Sequence, residues 1–325
     1  MGQEKILITG SNGQLGTVIA QTLIEKYGAD HVIVSDIKEP TAHYHHFEYL
    51  DILNKKAVAE ILARYNVTQV YHLAAMLSAT GEKFPVKCWE INVTGYLNVL
   101  EECRKLDIKK IFFPSSIAVF GNDAQKKKAP QNSPLNPSTV YGMSKLCGEQ
   151  WSNYYSNRYG FDIRSVRYPG VVGYQSLPGG GTTDYAVEIF HEAIAHETYD
   201  CFLSANTALP MIYMEDAVNA TMQLMHAKKE NITIRTSYNL EGASFTPAEI
   251  SAEIKKHIPN FTISYSPDER QAIADSWVGS LDDSPAQKDW NWTPKYKLPE
   301  MVEDMITNLR ELGVQASKKK ITKNI

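Results

Sequence analysis

Along the first half of the chain, short runs of apolar and β-branched residues alternate with stretches in which apolar positions return every three or four residues. The runs predict strands over Lys5 to Thr9, His31 to Asp36, Phe47 to Leu50, Gln69 to Leu73, Lys110 to Pro114 and Asp162 to Arg167. Between them, the three-and-four spacing predicts helices over Gln14 to Lys26, Lys55 to Tyr65 and Trp89 to Leu106. Tyr27-Gly28 closes the first helix, since glycine is the usual residue just past a helix end. This alternation predicts an α/β fold, a doubly wound parallel sheet with helices on both faces.

After about Val172 the alternation fails, and Gly- and Pro-rich segments mix with isolated helices. A second, smaller lobe is expected to begin there. "LPMIYMEDAVNATMQLMHA" reads as a short strand and then a helix capped by Glu215 or Asp216, and "TSYNLEG" as another strand. Both are expected to return to the first domain's sheet, so the lobes interleave: 1–172 with 210–242, and 173–209 with 243–325. The tail "SKKKITKNI" is polar and basic and is expected to fray.

Length and composition fit this division. A chain of 325 residues is long for one core, and 43% hydrophobic with 22% charged residues is the balance of a globular protein. The net charge of -4 argues against nucleic acid or an anionic membrane as partner. No apolar run approaches the roughly 18–20 residues of a membrane span. Cys88, Cys103, Cys147 and Cys201 are scattered without a CxxC pair, and no secretory leader precedes the first strand. In the chain as given that strand also leaves no room for an Arg-rich transit peptide, so reduced thiols in the cytoplasm are expected.

"KILITGSNGQLG" carries the first chemistry. A strand runs into Gly10, Gly13 and Gly16 and a helix opens at once, with Asn12, Gln14 and Leu15 in the turn. Glycines there let the backbone turn tightly and approach a diphosphate, while the helix N-terminus faces the anion. Asp36 ends the second strand, where a carboxylate would accept from both ribose hydroxyls and repel a 2′-phosphate, favouring NAD over NADP. Asp51 and Ile52 follow the third strand and either flank the adenine or, for Asp51, cap a helix.

"YGMSK" puts Tyr141 and Lys145 four apart, on one face of a helix. A nearby ammonium stabilises a phenolate, so the tyrosine becomes a candidate general base. "FFPSSIAVFG" ends a strand with Ser115 and Ser116 at the sheet's carboxyl edge, where open α/β folds bind ligands. "HYHH" over His43 to His46 lacks carboxylate or thiol support in a closed pattern and reads as a solvated approach to a strand, so no metal is assigned. "QKKKA" around Lys126 to Lys128 reads as a solvated loop.

Taken in order, the glycine loop, Asp51-Ile52, "HLAA" from His72 through Leu73, Ala74 and Ala75, "NVTGYLNVL" from Asn92, Ser116 and Tyr141-x-x-x-Lys145 resemble the extended short-chain dehydrogenase/reductase family, with its Rossmann-type fold. The resemblance makes Ser116 the catalytic hydroxyl and leaves Ser115 structural. It has Lys145 also bind the nicotinamide ribose, Asn92 support the cofactor pocket, and Tyr168 and Pro169 of "RYPGVVG" lie beside the nicotinamide. It further implies a homodimer through the Asn92 and Tyr141 helices.

That family includes sugar-nucleotide epimerases, which grip a diphosphate with basic residues, yet 173–206 contain no Arg or Lys. Ser116 is also followed by Ile117, where the dehydratases carry an Asp-Glu pair. "MLSATGE", "LPGGGTTDYA", "LPMIYMEDAV" and "YNLEGASFTPAEI" resemble instead the short-chain L-threonine 3-dehydrogenases. By that resemblance Ser78, Thr182, Thr183 and Trp277 enclose the amino acid, and backbone N–H groups at Gly180 or Gly181 form an anion nest. Asp184 and Tyr185 begin the next helix. The implied reaction is metal-free oxidation of L-threonine to 2-amino-3-oxobutyrate with NAD, and this chain lacks the Cys-rich zinc motif of the medium-chain threonine dehydrogenases. A nucleotide-sugar epimerase and a non-catalytic NAD-sensing module are the alternatives.

Overall fold

A computed structural model of the chain describes residues 4–314 apart from 41, 176 and 180, so the tail "SKKKITKNI" lies outside the described residues. In chain order the strands are β1 (Ile6–Thr9), β2 (Val32–Asp36), β3 (Phe47–Tyr49), β4 (Gln69–His72), β5 (Lys110–Ser116), β6 (Asp162–Tyr168), β7 (Gly170–Val172), β8 (Thr198–Cys201), β9 (Leu209–Tyr213), β10 (Tyr238–Asn239), β11 (Ala243–Phe245) and β12 (Thr262–Tyr265). The helices are α1 (Gln14–Tyr27), α2 (Lys55–Arg64), α3 (Ser78–Lys83), α4 (Pro85–Trp89), α5 (Tyr96–Lys105), α6 (Val140–Tyr159), α7 (Tyr185–His196), α8 (Met214–His226), α9 (Pro247–His257), α10 (Glu269–Ser276), α11 (Ser284–Trp290) and α12 (Leu298–Glu311).

Seven described strands make one parallel sheet in the order β10-β6-β5-β4-β1-β2-β3. Its strands are apolar on both sides because both faces are covered. Ile6 and Ile8 of β1 pack with Ile19 and Leu23 of α1, whereas Leu7 between them packs with Val58 and Ile61 of α2 and Tyr96 of α5. Each such side chain, fully removed from water, contributes about 1.5–3 kcal/mol. The third core gathers Phe190, Leu209, Phe245, Trp277 and Met305 together with Val119 and Phe120 from the segment after β5.

Three expectations change here. "TSYNLEG" does join the central sheet, as β10 beside β6. β9 does not; it lies between β7 and β11 in a separate three-stranded sheet, because Met211 is in register with Gly170 on one side and Ala243 on the other. Neither Glu215 nor Asp216 caps α8, which starts earlier with Tyr213 at its cap; the buried Asp216 carboxylate instead accepts from the backbone N–H groups of Lys295 and Tyr296. The Trp89-to-Leu106 helix begins at Pro85 and is interrupted by a π-helical turn over Glu90–Gly95.

A buried ion pair fastens the sheet to α6. Arg167 of β6 donates to both carboxylate oxygens of Glu149 at 2.9 and 2.8 Å, and Ser115 Oγ donates to Glu149 Oε1 at 2.6 Å. Arg167 also reaches Asn239 of β10 at 3.0 Å. Ser115 is thus structural, as expected. Removing one partner would leave an uncompensated buried charge, a loss of about 3–5 kcal/mol.

Candidate active site

Gly10 has φ +73°, and a methyl there would lie 2.5 Å from Ala74 N. A methyl on Gly16 would lie 2.3 Å from Gly10 O, so only glycine lets α1 start this close to β1. Gly13 caps α1, whose first residues Gln14 and Leu15 have no side-chain cap to occupy their N–H groups. Beside this turn the Asp36 carboxylate accepts from the N–H of Asn12 at 3.0 Å, and Asn12 Nδ2 donates to Lys38 O at 2.7 Å. The buried Ser11 hydroxyl in the loop has no partner among the described residues. A tight turn with glycines at Gly10, Gly13 and Gly16, opening a helix N-terminus beside a carboxylate, fits a dinucleotide that presents a diphosphate and a free ribose diol.

Asp51 is exposed and accepts from Leu53 N at 2.9 Å, while Asn54 caps α2. Ile52 is buried against the π turn, where a methyl on Gly95 would lie 2.5 Å from its Cδ1. Leu73, Ala74 and Ala75 leave β4 beside Gly10, and Leu73 N donates to Thr9 O at 2.9 Å. Asn92, inside the π turn, clamps this segment. It accepts from Met76 N at 2.8 Å and donates to Met76 O at 3.1 Å and to Ser144 Oγ at 3.0 Å.

Ser116 ends β5, in register with Tyr168, and its hydroxyl accepts from Ala118 N at 3.2 Å. Thr139 caps α6 and sets Tyr141 in its first turn. Burial pushes the Tyr141 phenol up to about 12, and a hydrogen bond with Ser116 opposes that rise. Lys145, buried one turn later, donates to Pro114 O at 2.8 Å, and its Nζ is 5.6 Å from the centre of the Tyr141 ring. Burial lowers the Lys145 ammonium to about 8. The expected acidification of the phenol by Lys145 is therefore not realised: the ammonium is bonded to a carbonyl, and desolvation dominates.

Tyr168 is a second correction. Its ring turns away from the carboxyl edge into the core under α8, where its hydroxyl bonds to Thr221 and to Ala217 O, so its backbone alone is at the edge. β7 follows at once, and Gln14 Nε2 reaches Val171 O at 3.4 Å, joining the glycine turn to this segment.

The "LPGGGTTDYA" segment crosses the same edge. A methyl on Gly179 would lie 3.4 Å from Leu77, the neighbour of Ser78, and one on Gly170 would lie 2.7 Å from Thr183 Cβ. Ser78 is buried at the start of α3, and Thr182, 1% exposed, carries a hydroxyl without a partner among the described residues. α7 begins at Tyr185 with Asp184 at its N-cap position, and the Asp184 carboxylate accepts from Gly181 N at 2.8 Å. That N–H is therefore not free for an anion nest; Gly180 lies outside the described residues.

Trp277 is buried just past α10, in the apolar cluster against which Tyr141 packs. Lys126 is not merely solvated: its ammonium donates to Asp275 O at 2.8 Å and to Trp277 O at 2.9 Å. Sequence reasoning also missed Glu82, which accepts from Val140 N at 2.9 Å and so docks α3, with Ser78, onto the Tyr141 helix. Its presence in "MLSATGE" was the available signal. The histidine run is also less isolated than expected, because the fold brings the Asp30 carboxylate to 2.9 Å from His45 Nε2.

The NAD dependent epimerase/dehydratase family matches residues 6–240. The mitochondrial L-threonine 3-dehydrogenase of Bos taurus is 43% identical over 308 residues, which are 94% of this chain and 82% of that protein. The holo form of the GalE-like L-threonine dehydrogenase from Cupriavidus necator superposes with TM-score 0.92 at 50% identity, covering 94% of this chain and 99% of that one. A monomeric L-threonine 3-dehydrogenase from a metagenome does so with TM-score 0.92 at 46% identity, covering 94% and 99%. With its glycine turn, Ser116, Tyr141 and Lys145 on one sheet edge, this chain belongs to the NAD dependent epimerase/dehydratase family.

Proposed function

We propose that the protein oxidises the β-hydroxyl of L-threonine to 2-amino-3-oxobutyrate with NAD. The observation that carries the reading is the meeting of Ser116, Tyr141 and Lys145 at the carboxyl edge of the sheet; the buried Thr182 hydroxyl, without a partner among the described residues, supports it. The 43–50% identity to threonine dehydrogenases over 94% of this chain supports the same substrate. The absence of Lys and Arg over 173–206 disfavours a nucleotide diphosphate substrate.

NAD, when bound, supplies the hydride acceptor for Cβ. Gly10, Gly13 and the first N–H groups of α1 hold its diphosphate, and Asp36 its adenosine ribose. Asp51, Ile52, Leu73, Ala74 and Ala75 would line its site, with Asn92 holding the wall through Met76. Lys145 binds the second ribose. Ser116 orients the substrate hydroxyl while Tyr141, as phenolate, removes its proton. Burial holds the Tyr141 phenol high and Ser116 opposes that rise, so ionising it would call on the positive charge that NAD supplies when bound. Ser78, Thr182 and Thr183 take the polar groups of the amino acid, and Trp277 closes the apolar side. The lobe of 173–209 and 243–325 thus carries the substrate. Free cysteines fit a reducing compartment, and the setting proposed is the cytoplasm. Exposed Val86 and Trp89 on α4 and Met143 and Tyr154 on α6 support a homodimer through these helices.

NADH formation followed by absorbance is expected with L-threonine and NAD and not with UDP-glucose derivatives; epimerisation without NADH from threonine would overturn the substrate. Tyr141→Phe should keep cofactor affinity and lower turnover about 100-fold or more. Unchanged turnover would exclude Tyr141 as the acid-base group.

A further inference from the structure

At the amino end of the sheet, opposite the cofactor edge, the fold assembles a group that the reaction does not use. Asp30 lies in a single helical turn, Ala29–His31, immediately before β2, and His45 and His46 immediately precede β3. β2 and β3 are parallel neighbours, and Val34 N donates to His46 O at 3.0 Å, so the second segment is tied to the strand that Asp30 introduces. Lys5 Nζ holds Asp30 O at 2.6 Å. The rings of His45 and His46 are 4.4 Å apart at 70°, and His46 rests edge-on against Tyr65 at 5.3 Å. One donor atom from each of Asp30, His45 and His46 lies within 4.8 Å of the others, the only such group of three among the described residues.

We propose that Asp30, His45 and His46 form a binding site for a divalent transition-metal ion of the zinc or nickel type. Two imidazoles and one carboxylate are the borderline donors these ions prefer, whereas calcium and magnesium call for oxygen alone. Donor atoms around one tetrahedral ion at about 2 Å are separated by about 3.3 Å. His45 and Asp30 already stand 2.9 Å apart. Their side chains are 56% and 77% exposed, so they can close on an ion without disturbing the core, and water completes the shell. Such an ion would bind the turn before β2 to the segment before β3, fastening an edge of the sheet roughly 15 Å from Asp36 at the other end of β2.

The test is calorimetric titration of the tag-free, EDTA-stripped full chain with zinc and with nickel, magnesium serving as control, alongside thermal unfolding. One equivalent of zinc or nickel should bind, magnesium should not, and saturation should raise Tm by roughly 5 °C. His45→Ala and Asp30→Ala should each weaken binding at least about tenfold and leave the metal-free Tm within about 1 °C. Failure to bind one equivalent, or affinity unchanged in either variant, would overturn the site. Neither result bears on the dehydrogenase assignment, because none of these residues touches the catalytic edge.

Discussion

Lys145 sets a stability against a chemical need. Lys145 is 5% exposed, its ammonium is lowered to about 8, and among the described residues one carbonyl accepts from it. An ammonium whose folded pKa lies below its unfolded value of about 10.4 weakens the fold most below pH 8, and the penalty fades as pH rises from there towards the unfolded value. Lys145→Met should therefore raise the unfolding free energy in urea by about 1–2 kcal/mol at pH 7, after the loss of its bond to Pro114 O. The advantage should shrink steadily as titration is repeated between pH 8 and pH 10. The same variant should lose turnover. An equal effect at both pH values would mean that the lysine is not buried as a charge.

At the scale of elements, the strands were legible because two-sided burial writes continuous apolar runs, and the glycine turn because it joins a strand to a helix with no room for Cβ atoms. The π turn was not legible. No residue type marks such a turn in a sequence, yet it aims Asn92 at Met76 and Ser144. Asn92→Ala leaves the N–H and C=O of Met76 without this partner. It should cost about 1–3 kcal/mol in urea unfolding and weaken NAD binding more than it changes the KM for threonine. Intact NAD affinity would separate the clamp from the cofactor wall. Other features were invisible because their partners are remote in sequence: Asp216 with Lys295, Asp30 with His45, and Tyr168 with Thr221. Gly181 shows a local failure of another kind, since a free nest and one filled by Asp184 read alike.

For the whole molecule, the exposed apolar residues of α4 and α6 make association the quantity to measure. Val86 is 82% exposed and Tyr154 48%, and beside Tyr154 a shallow cavity is lined by Gln150, Asn153, Asn157 and Arg158. Sedimentation at micromolar concentration should find a dimer, and Val86→Asp with Tyr154→Asp together should convert it to monomer with Tm within a few degrees. A monomeric parent would place the chain with its monomeric metagenomic relative.

The late strand β10 also governs how the chain is made. β6 ends at Tyr168, but the strand that covers its outer edge at Val166 and Arg167 is Tyr238–Asn239, and Arg167 waits for Asn239 to complete its bonds. At about 5–20 residues per second, a ribosome would hold that strand edge open for roughly 4–14 s after β6 emerges. Unpaired edges template association with other chains. The chain is thus open to association during synthesis, before the last strand of its central sheet exists.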